Sequence, residues 1–471
     1  MKSTTVLSTN GNLKSSITLF LLILTTACSL NPPQTASQNP DQPPNIIYIL
    51  TDDQPAASIE HMPTVKNSLA AEGFTFSNGY VTTPQCCPSR ASILTGKYAH
   101  NHGVLSNSKP IGGASVFNDT TTLATLLHEA GYQTALFGKY LNGYRALGRG
   151  YIPPGWDQWF AFVKSSPKTT GAGYYWGYTM SENGNRVQYG FEEEDYSTVV
   201  IEQKVIKFIK NAGNKPFFLY ISLAAPHPRQ LFLNKDSEYF NESMVSFTPN
   251  FNEEDLSDKP AWLQKLRKID PEDATRTSLR VLKSLKPVDD AVKRIQSTLE
   301  NYGLAENTVI IFHSDNGLSL GEHRRLNQKS CPYEECIKVP LVLYDPDHKT
   351  EGITIDSFAL NIDIAPTILQ IAGITPNQDM DGQSLLYLME KDKQNWRDAF
   401  IFEHFQRKHQ IPPYIGIRTE RWKYVIYQST GEIELYDMEN DPWEMENLAN
   451  TGGYEDIIAE LQTKMDALLE K

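Results

Sequence analysis

The chain is poor in cysteine and histidine, with five and ten among 471 residues. So few thiols in so long a sequence exclude a disulfide-built scaffold. It has no surplus of positive charge. Lys and Arg number 43 against 56 Asp and Glu, a formal charge of −13. That balance excludes a general nucleic-acid binder, which needs a basic face. No apolar run reaches about 18 residues, so no membrane-spanning helix is expected. Hydrophobic residues make up 40% and charged residues 21%. This composition is globular rather than disordered, collagen-like or coiled-coil, and the length suits one large domain with a smaller companion.

The first residues read as an address. Lys2 and Lys14 precede the apolar run from Ile17 to Leu24, and Thr25, Thr26 and Ala27 lead into Cys28. The run is too short to span and predicts an export signal over residues 1–27. It resembles a bacterial lipoprotein signal, although Thr25 stands where such signals more often carry Leu. The resemblance implies cleavage before Cys28 and a lipid on its sulfur, the chain's one membrane contact, at a periplasmic or cell-surface location. Cleavage after Ala27 and secretion is the alternative. Residues 28–44 are rich in proline and nearly devoid of apolar side chains, the composition of an extended tether.

From Asn45 the pattern is α/β. Apolar strands are expected at Asn45–Leu50, Gln133–Phe137, Pro216–Leu223, Thr308–Phe312 and Val339–Tyr344. Helices are expected at Asp119–Gly131, Tyr196–Ala212, Thr275–Tyr302 and Ile362–Ala372. Continuous apolar strands alternating with helices predict a mostly parallel sheet covered on both faces, an α/β/α sandwich over residues 45–388. Residues 389–471 predict a small antiparallel sheet, with strands near 400–402, 416–418, 423–427 and 432–436, and a closing helix.

Ligands of such sheets gather beyond the carboxyl ends of the strands. Polar groups stand there in at least four units: Asp52-Asp53, Gly138-Lys139, Pro226-His227 and Asp315-Asn316. Asp52, Asp53, Asp315 and Asn316 are hard oxygen donors, with no His or Cys pair at zinc spacing. Such a set suits Ca²⁺ or Mg²⁺. Cys86-Cys87-Pro88-Ser89-Arg90 opens a short helix that stops at Gly96. A side chain at that start faces free N–H groups, and Arg90 is a bidentate anion ligand nearby. Taken alone, Cys86 there is a candidate thiolate nucleophile. Cys331 and Cys336 either pair locally or remain free thiols.

The segment from Cys86 to Gly96 resembles the signature of type I sulfatases, of the alkaline-phosphatase-like superfamily. Cys86 has Pro88 two residues on and Arg90 four residues on, the spacing of the cysteine that the family oxidises to formylglycine. Cys87 does not. Within the family, Cys-Cys-Pro-Ser-Arg, the following Gly96-Lys97-Tyr98-Ala99-His100-Asn101-His102 and Gly138-Lys139-Tyr140-Leu141-Asn142 are most similar to N-acetylglucosamine-6-sulfatases. The resemblance implies a maturation enzyme acting on Cys86 and one Ca²⁺ among Asp52, Asp53, Cys86, Asp315 and Asn316. It implies a sulfate ester, on a glycan or other small molecule, as substrate. Arg90, Lys139, His227, Lys329 and His323 are then the groups around sulfate and leaving alcohol. One departure is Leu141, where many members carry a histidine. His100 or His102 would take over its task, or sulfate release runs differently. An aromatic loop, Tyr174, Tyr175, Trp176 and Tyr178, is a candidate stacking surface for a sugar, with His404, Arg407 and Tyr414 on the far wall. Rival expectations are a phosphodiesterase or phosphonate monoester hydrolase of the same superfamily, and a sulfoglycan-binding lipoprotein without turnover.

Overall fold

The computed structural model describes residues 43–390, 395–405 and 411–470. The expected signal, Cys28, most of the tether and Arg407 lie outside them. A ten-stranded sheet runs through the molecule. Its strands are β1 (Asn45–Thr51), β2 (Phe74–Phe76), β3 (Gln133–Gly138), β4 (Gln158–Lys164), β5 (Thr179–Glu182), β6 (Asn185–Gln188), β7 (Phe217–Ser222), β8 (Thr308–Ser314), β9 (Leu341–Tyr344) and β10 (Ile353–Ile355). The spatial order is β10-β2-β9-β8-β1-β7-β3-β4-β5-β6. From β8 to β4 every pairing is parallel. β1 lies between β7 and β8, so its carboxyl end is flanked by theirs.

The alternation along β1 explains the layers. Ile46, Tyr48 and Leu50 pack on one face with Leu123 and Leu127 of helix Leu123–Glu129 and with Ile364 and Ile368 of helix Ile364–Ile371. Ile47 and Ile49 pack on the other with Val200 and Val205 of helix Ser197–Lys210 and with Val281, Val288 and Val292 of helix Pro271–Asn301. Each fully buried Ile or Val contributes about 2 kcal/mol by its removal from water. The fold is therefore an α/β/α sandwich with a mostly parallel sheet. Among the described residues, no helix is long and apolar enough to cross a membrane.

Two features depart from the sequence reading. β9 runs antiparallel to β8. An unbroken apolar run looks the same in either direction, so the sequence is silent on orientation. The hairpin β5–β6 and the short strands β2 and β10 carry too little pattern to be read.

Beyond the large sheet, β11 (Ala399–His404), β12 (Tyr414–Thr419), β13 (Trp422–Tyr427) and β14 (Ile433–Asp437) form an antiparallel sheet in chain order. Leu461 and Met465 of helix Glu455–Leu469 pack in the same cluster as Phe400, Ile417, Tyr424 and Leu435. Tyr333 and Ile337, from the segment before β9, join it too. At its centre lies Glu434, fully buried. Tyr333 and Tyr427 donate to it at 2.8 and 2.5 Å, and Tyr436 donates as well. Burial lifts its carboxyl above the usual range while the three hydroxyls oppose that shift. Truncation would strand three buried donors. Glu434→Ala is expected to cost about 3 kcal/mol in urea unfolding, and Glu434→Gln clearly less. Equal losses would mean that packing, not hydrogen bonding, sets the cost.

Candidate active site

The site is assembled at the carboxyl end of the sheet. β1 ends at Asp52-Asp53 and β8 at Asp315-Asn316, and all four residues are buried. Asp53 takes a φ of 67°, a left-handed conformation that costs a non-glycine residue about 1 kcal/mol. Its N–H donates to Asp315 Oδ1 at 3.1 Å, and Asn316 Nδ2 donates to Asp53 Oδ1 at 2.7 Å. The strained turn thus folds the first strand end onto the second.

Helix α1 (Cys86–Thr95) starts beside them. Pro88 in its first turn removes no helical hydrogen bond, and Gly96 closes it with a φ of 69°. Cys86, its first residue, is 1% exposed. Its Sγ lies 3.5 Å from Asp52 Oδ1 and 3.9 Å from Asp53 Oδ1, and Lys329 Nζ donates to it at 2.7 Å. One ligand atom each of Asp52, Asp53, Cys86 and Asp315 fall within 4.8 Å of one another.

Three cations face the three carboxylates. Arg90 Nε donates to Asp315 Oδ2 at 2.7 Å, its Nη2 lies 3.7 Å from Asp52, and its Nη1 donates to Ser222 Oγ at 2.5 Å and Lys139 O at 2.9 Å. Lys139 Nζ pairs with Asp52, and Lys329 Nζ with Asp53. Burial alone would raise Asp52 and Asp53. Lys139 beside the first and Lys329 beside the second, with help from His227, hold both below the usual carboxylate range. Burial would likewise lower Lys139 and Lys329, but the aspartates raise both. Asp52, Asp53, Lys139 and Lys329 are therefore charged at neutral pH. Burial pushes the Cys86 thiol up to about 11 despite Lys139 and Lys329, so the unmodified side chain is a protonated thiol. His227 Nε2 sits 3.9 Å from Asp53 Oδ2, and burial lowers its proton affinity against the pull of both aspartates.

The donor set fits a hard divalent cation. It offers three carboxylates and an amide oxygen. Asp53 Oδ2 and Asn316 Oδ1 are buried with no hydrogen-bond partner among the described residues.

The structure thus brings Asp52, Asp53, Cys86, Arg90, Lys139, His227, Asp315, Asn316 and Lys329 together. It holds His323 elsewhere. His323 Nδ1 is 2.6 Å from Glu253, its Nε2 is 3.2 Å from Asn250 Nδ2, and its ring lies on Tyr333. One ring nitrogen is engaged by a carboxylate and the other by an amide, so neither is left for sulfate as the sequence reading expected. His102 is a packing residue, with Ser92 Oγ 3.1 Å from Nε2 and the Val104 N–H donating to Nδ1. Leu141 belongs to the core. Tyr175 and Tyr178 are buried and donate to His227 O and Asp195 O, and Trp176 donates to Glu192 O. Within that aromatic loop, burial raises the Tyr174 and Tyr175 hydroxyls; Tyr174, half-buried, also senses the charges of Lys139, Asp52 and Cys86, and Tyr175 those of Asp52 and Asp53. Tyr414 donates to Ser330 O, beside Lys329. Cys331 and Cys336 form a disulfide. Ser222 escaped the sequence reading; its one signal was a hydroxyl closing an apolar strand.

An α/β/α sandwich with a charge-matched, metal-competent centre at its strand ends around a helix-initiating cysteine can hold an anionic group beside a cation. The chain belongs to the Sulfatase family, whose profile matches residues 44–374, and residues 321–471 match the C-terminal profile of N-sulphoglucosamine sulphohydrolase. It is 35% identical over 383 residues to the extracellular sulfatase SULF-1 homolog of Drosophila melanogaster, covering 78% of this chain and 33% of that protein. It is 28% identical over 546 residues to the N-acetylglucosamine-6-O-sulfatase of Bacteroides thetaiotaomicron, covering 100% of this chain and 92% of that one. A solved structure in complex with its substrate D-glucosamine-2-N,6-O-disulfate superposes with a TM-score of 0.78 at 26% identity, covering 91% of this chain and 98% of that one.

Arg90 is the test of the charge balance. Arg90→Ala leaves Asp315 and Asp52 buried without their guanidinium and is expected to lower unfolding stability by about 3 kcal/mol or more. Denaturant titration of the full chain checks it; a change under about 1 kcal/mol would show that water replaces the cation freely.

Proposed function

We propose that the protein is a sulfatase that hydrolyses a sulfate ester on a glycan, with glucosamine 6-sulfate as the favoured unit. The observation that carries this is Cys86 at the start of α1, enclosed by Asp52, Asp53 and Asp315 and by Arg90, Lys139 and Lys329. The names of the relatives and the glucosamine-disulfate complex support the substrate class. In the active form Cys86 is formylglycine, and its hydrate places an oxygen where Sγ stands.

Asp52, Asp53, Asp315 and Asn316 would hold one Ca²⁺, which supplies positive charge that favours the ionised hydroxyl of the hydrate. That hydroxyl attacks sulfur while the S–O bond to the alcohol breaks. Lys139, Lys329 and Arg90 offset the charge of the sulfuryl oxygens. His227, a third exposed beside Asp53, would protonate the departing alkoxide. The second hydroxyl then gives its proton to a water that enters as the alcohol departs, its oxygen forms the carbonyl, and the C–O bond to sulfate breaks so that sulfate leaves with that electron pair. Water restores the hydrate. A serine at this position would lack that internal exit. The extracellular relatives and the expected signal at residues 1–27 support an exported protein; the lipid on Cys28, with secretion after cleavage at Ala27 as the alternative, rests on the signal's resemblance alone.

Peptide mass spectrometry of matured protein is expected to show residue 86 about 18 Da lighter than cysteine. Cys86→Ala is expected to abolish turnover of a chromogenic sulfate ester, and Cys87→Ala to retain it. Full activity of the Cys86 variant, or faster turnover of a phosphonate ester than of the matching sulfate, would defeat the reading. Calcium at about a hundredfold excess over its Kd is expected to raise unfolding stability by about 3 kcal/mol, and a chelator to reverse the gain. A thermal midpoint indifferent to both would exclude the cation.

A further inference from the structure

β11 brings an imidazole–carboxylate pair against the segment that leads into Cys86. The Glu403 N–H donates to Thr82 O at 2.8 Å, and Gln85 N–H donates to Thr83 O at 2.7 Å one residue before Cys86. The Glu403 side chain is wholly buried, and its Oε1 lies 2.8 Å from His100 Nδ1. His100 keeps 19% of its side chain exposed, so it is the pair's edge toward solvent. Its ring stacks on Tyr98 at 5.4 Å.

Polar atoms without a partner among the described residues recur on these segments. They are Glu403 Oε2, His100 Nε2, both amide atoms of Gln85 and Thr83 Oγ1, all buried. Each costs about 1–3 kcal/mol when left unpaired. Buried polar atoms left unpaired on the segment that leads into Cys86 and on the strand bonded to it call for a polar partner, which a ligand or a water supplies. Burial lowers the proton affinity of His100, but the hydrogen bond and charge of Glu403 raise it above the usual value. With Nδ1–H donated to Glu403, Nε2–H is a donor, Glu403 Oε2 an acceptor and the Gln85 amide both. Neighbouring hydroxyls of a sugar ring, each of which donates and accepts, match that set.

We propose that His100, Glu403 and Gln85 form a specificity subsite that binds ring hydroxyls of the sugar whose sulfate faces residue 86. This rests on the sulfatase reading above and adds to it the group that tells a sugar from any other sulfated alcohol.

The test compares glucosamine 6-sulfate with 4-nitrophenyl sulfate, which has no neighbouring hydroxyls, on the matured full chain. Glu403→Gln and His100→Ala are expected to raise KM for the sugar about tenfold, and to lower kcat/KM about tenfold more on the sugar than on the aryl ester. A deoxy sugar lacking the contacted hydroxyl should be poorer with the native protein and no poorer still with Glu403→Gln. Equal losses on both esters at an unchanged thermal midpoint, or no loss on either, overturn the subsite. If the native protein cleaves neither ester, the sulfatase reading falls separately. Calorimetric titration of glucosamine 6-sulfate into native and Glu403→Gln protein then decides the subsite. Binding about tenfold weaker in the variant upholds it, and equal or absent binding in both overturns it.

Discussion

Three buried carboxylates held against three buried cations are the interaction on which the rest of the site depends. Lys139 and Lys329 hold Asp52 and Asp53 ionised against their burial, and Arg90 pairs with Asp315 beside them. The cations come from separate parts of the chain: α1, the residue after β3, and the loop beyond β8. The centre therefore exists when these parts have come together. A divalent cation would tip the balance to positive, and an anionic ester would bring it back toward neutral. A chain with a net charge of −13 can in this way hold an anion.

The scaffold was largely legible because its signals are long. β1, β7 and β8 are unbroken apolar runs, and the helix Pro271–Asn301 shows a sustained stripe. The turn from β1 was legible in residue type, since two aspartates after an apolar strand are conspicuous. It was not legible in shape, because the left-handed Asp53 has no sequence mark. Periodicity fails where a residue's role depends on distant partners. Tyr175 and Tyr178 read as an exposed aromatic platform, yet their hydroxyls reach backbone carbonyls and bury them. His323 read as a member of the site, yet Glu253 and Asn250, some seventy residues earlier in the chain, claim both of its nitrogens. Glu403 drew no notice in the sequence, as one acid among 56. Only the pairing of β11 with its neighbours sets it beside His100.

The small C-terminal sheet is more than an appendage. β11 reaches Thr82 through Glu403, and β12 reaches Ser330 through Tyr414. One contact braces the segment that enters α1, the other the segment that carries Lys329. Arg325 Nη2 also donates to Lys329 O at 3.0 Å, and the Cys331–Cys336 bridge closes the loop just beyond. The lysine that balances Asp53 thus stands on a loop fixed at several points, which limits how far its ammonium group can drift.

Burial of Cys86 has a consequence for the order of events in the life of the chain. At 1% exposure the side chain offers no surface that another protein could grasp. Any catalyst that rewrites this residue must meet it as a loose segment, before the sandwich closes and before the last strands arrive to seal it. The chain carries α1 early in its sequence and the bracing sheet at its end, so synthesis itself leaves an interval in which position 86 is reachable.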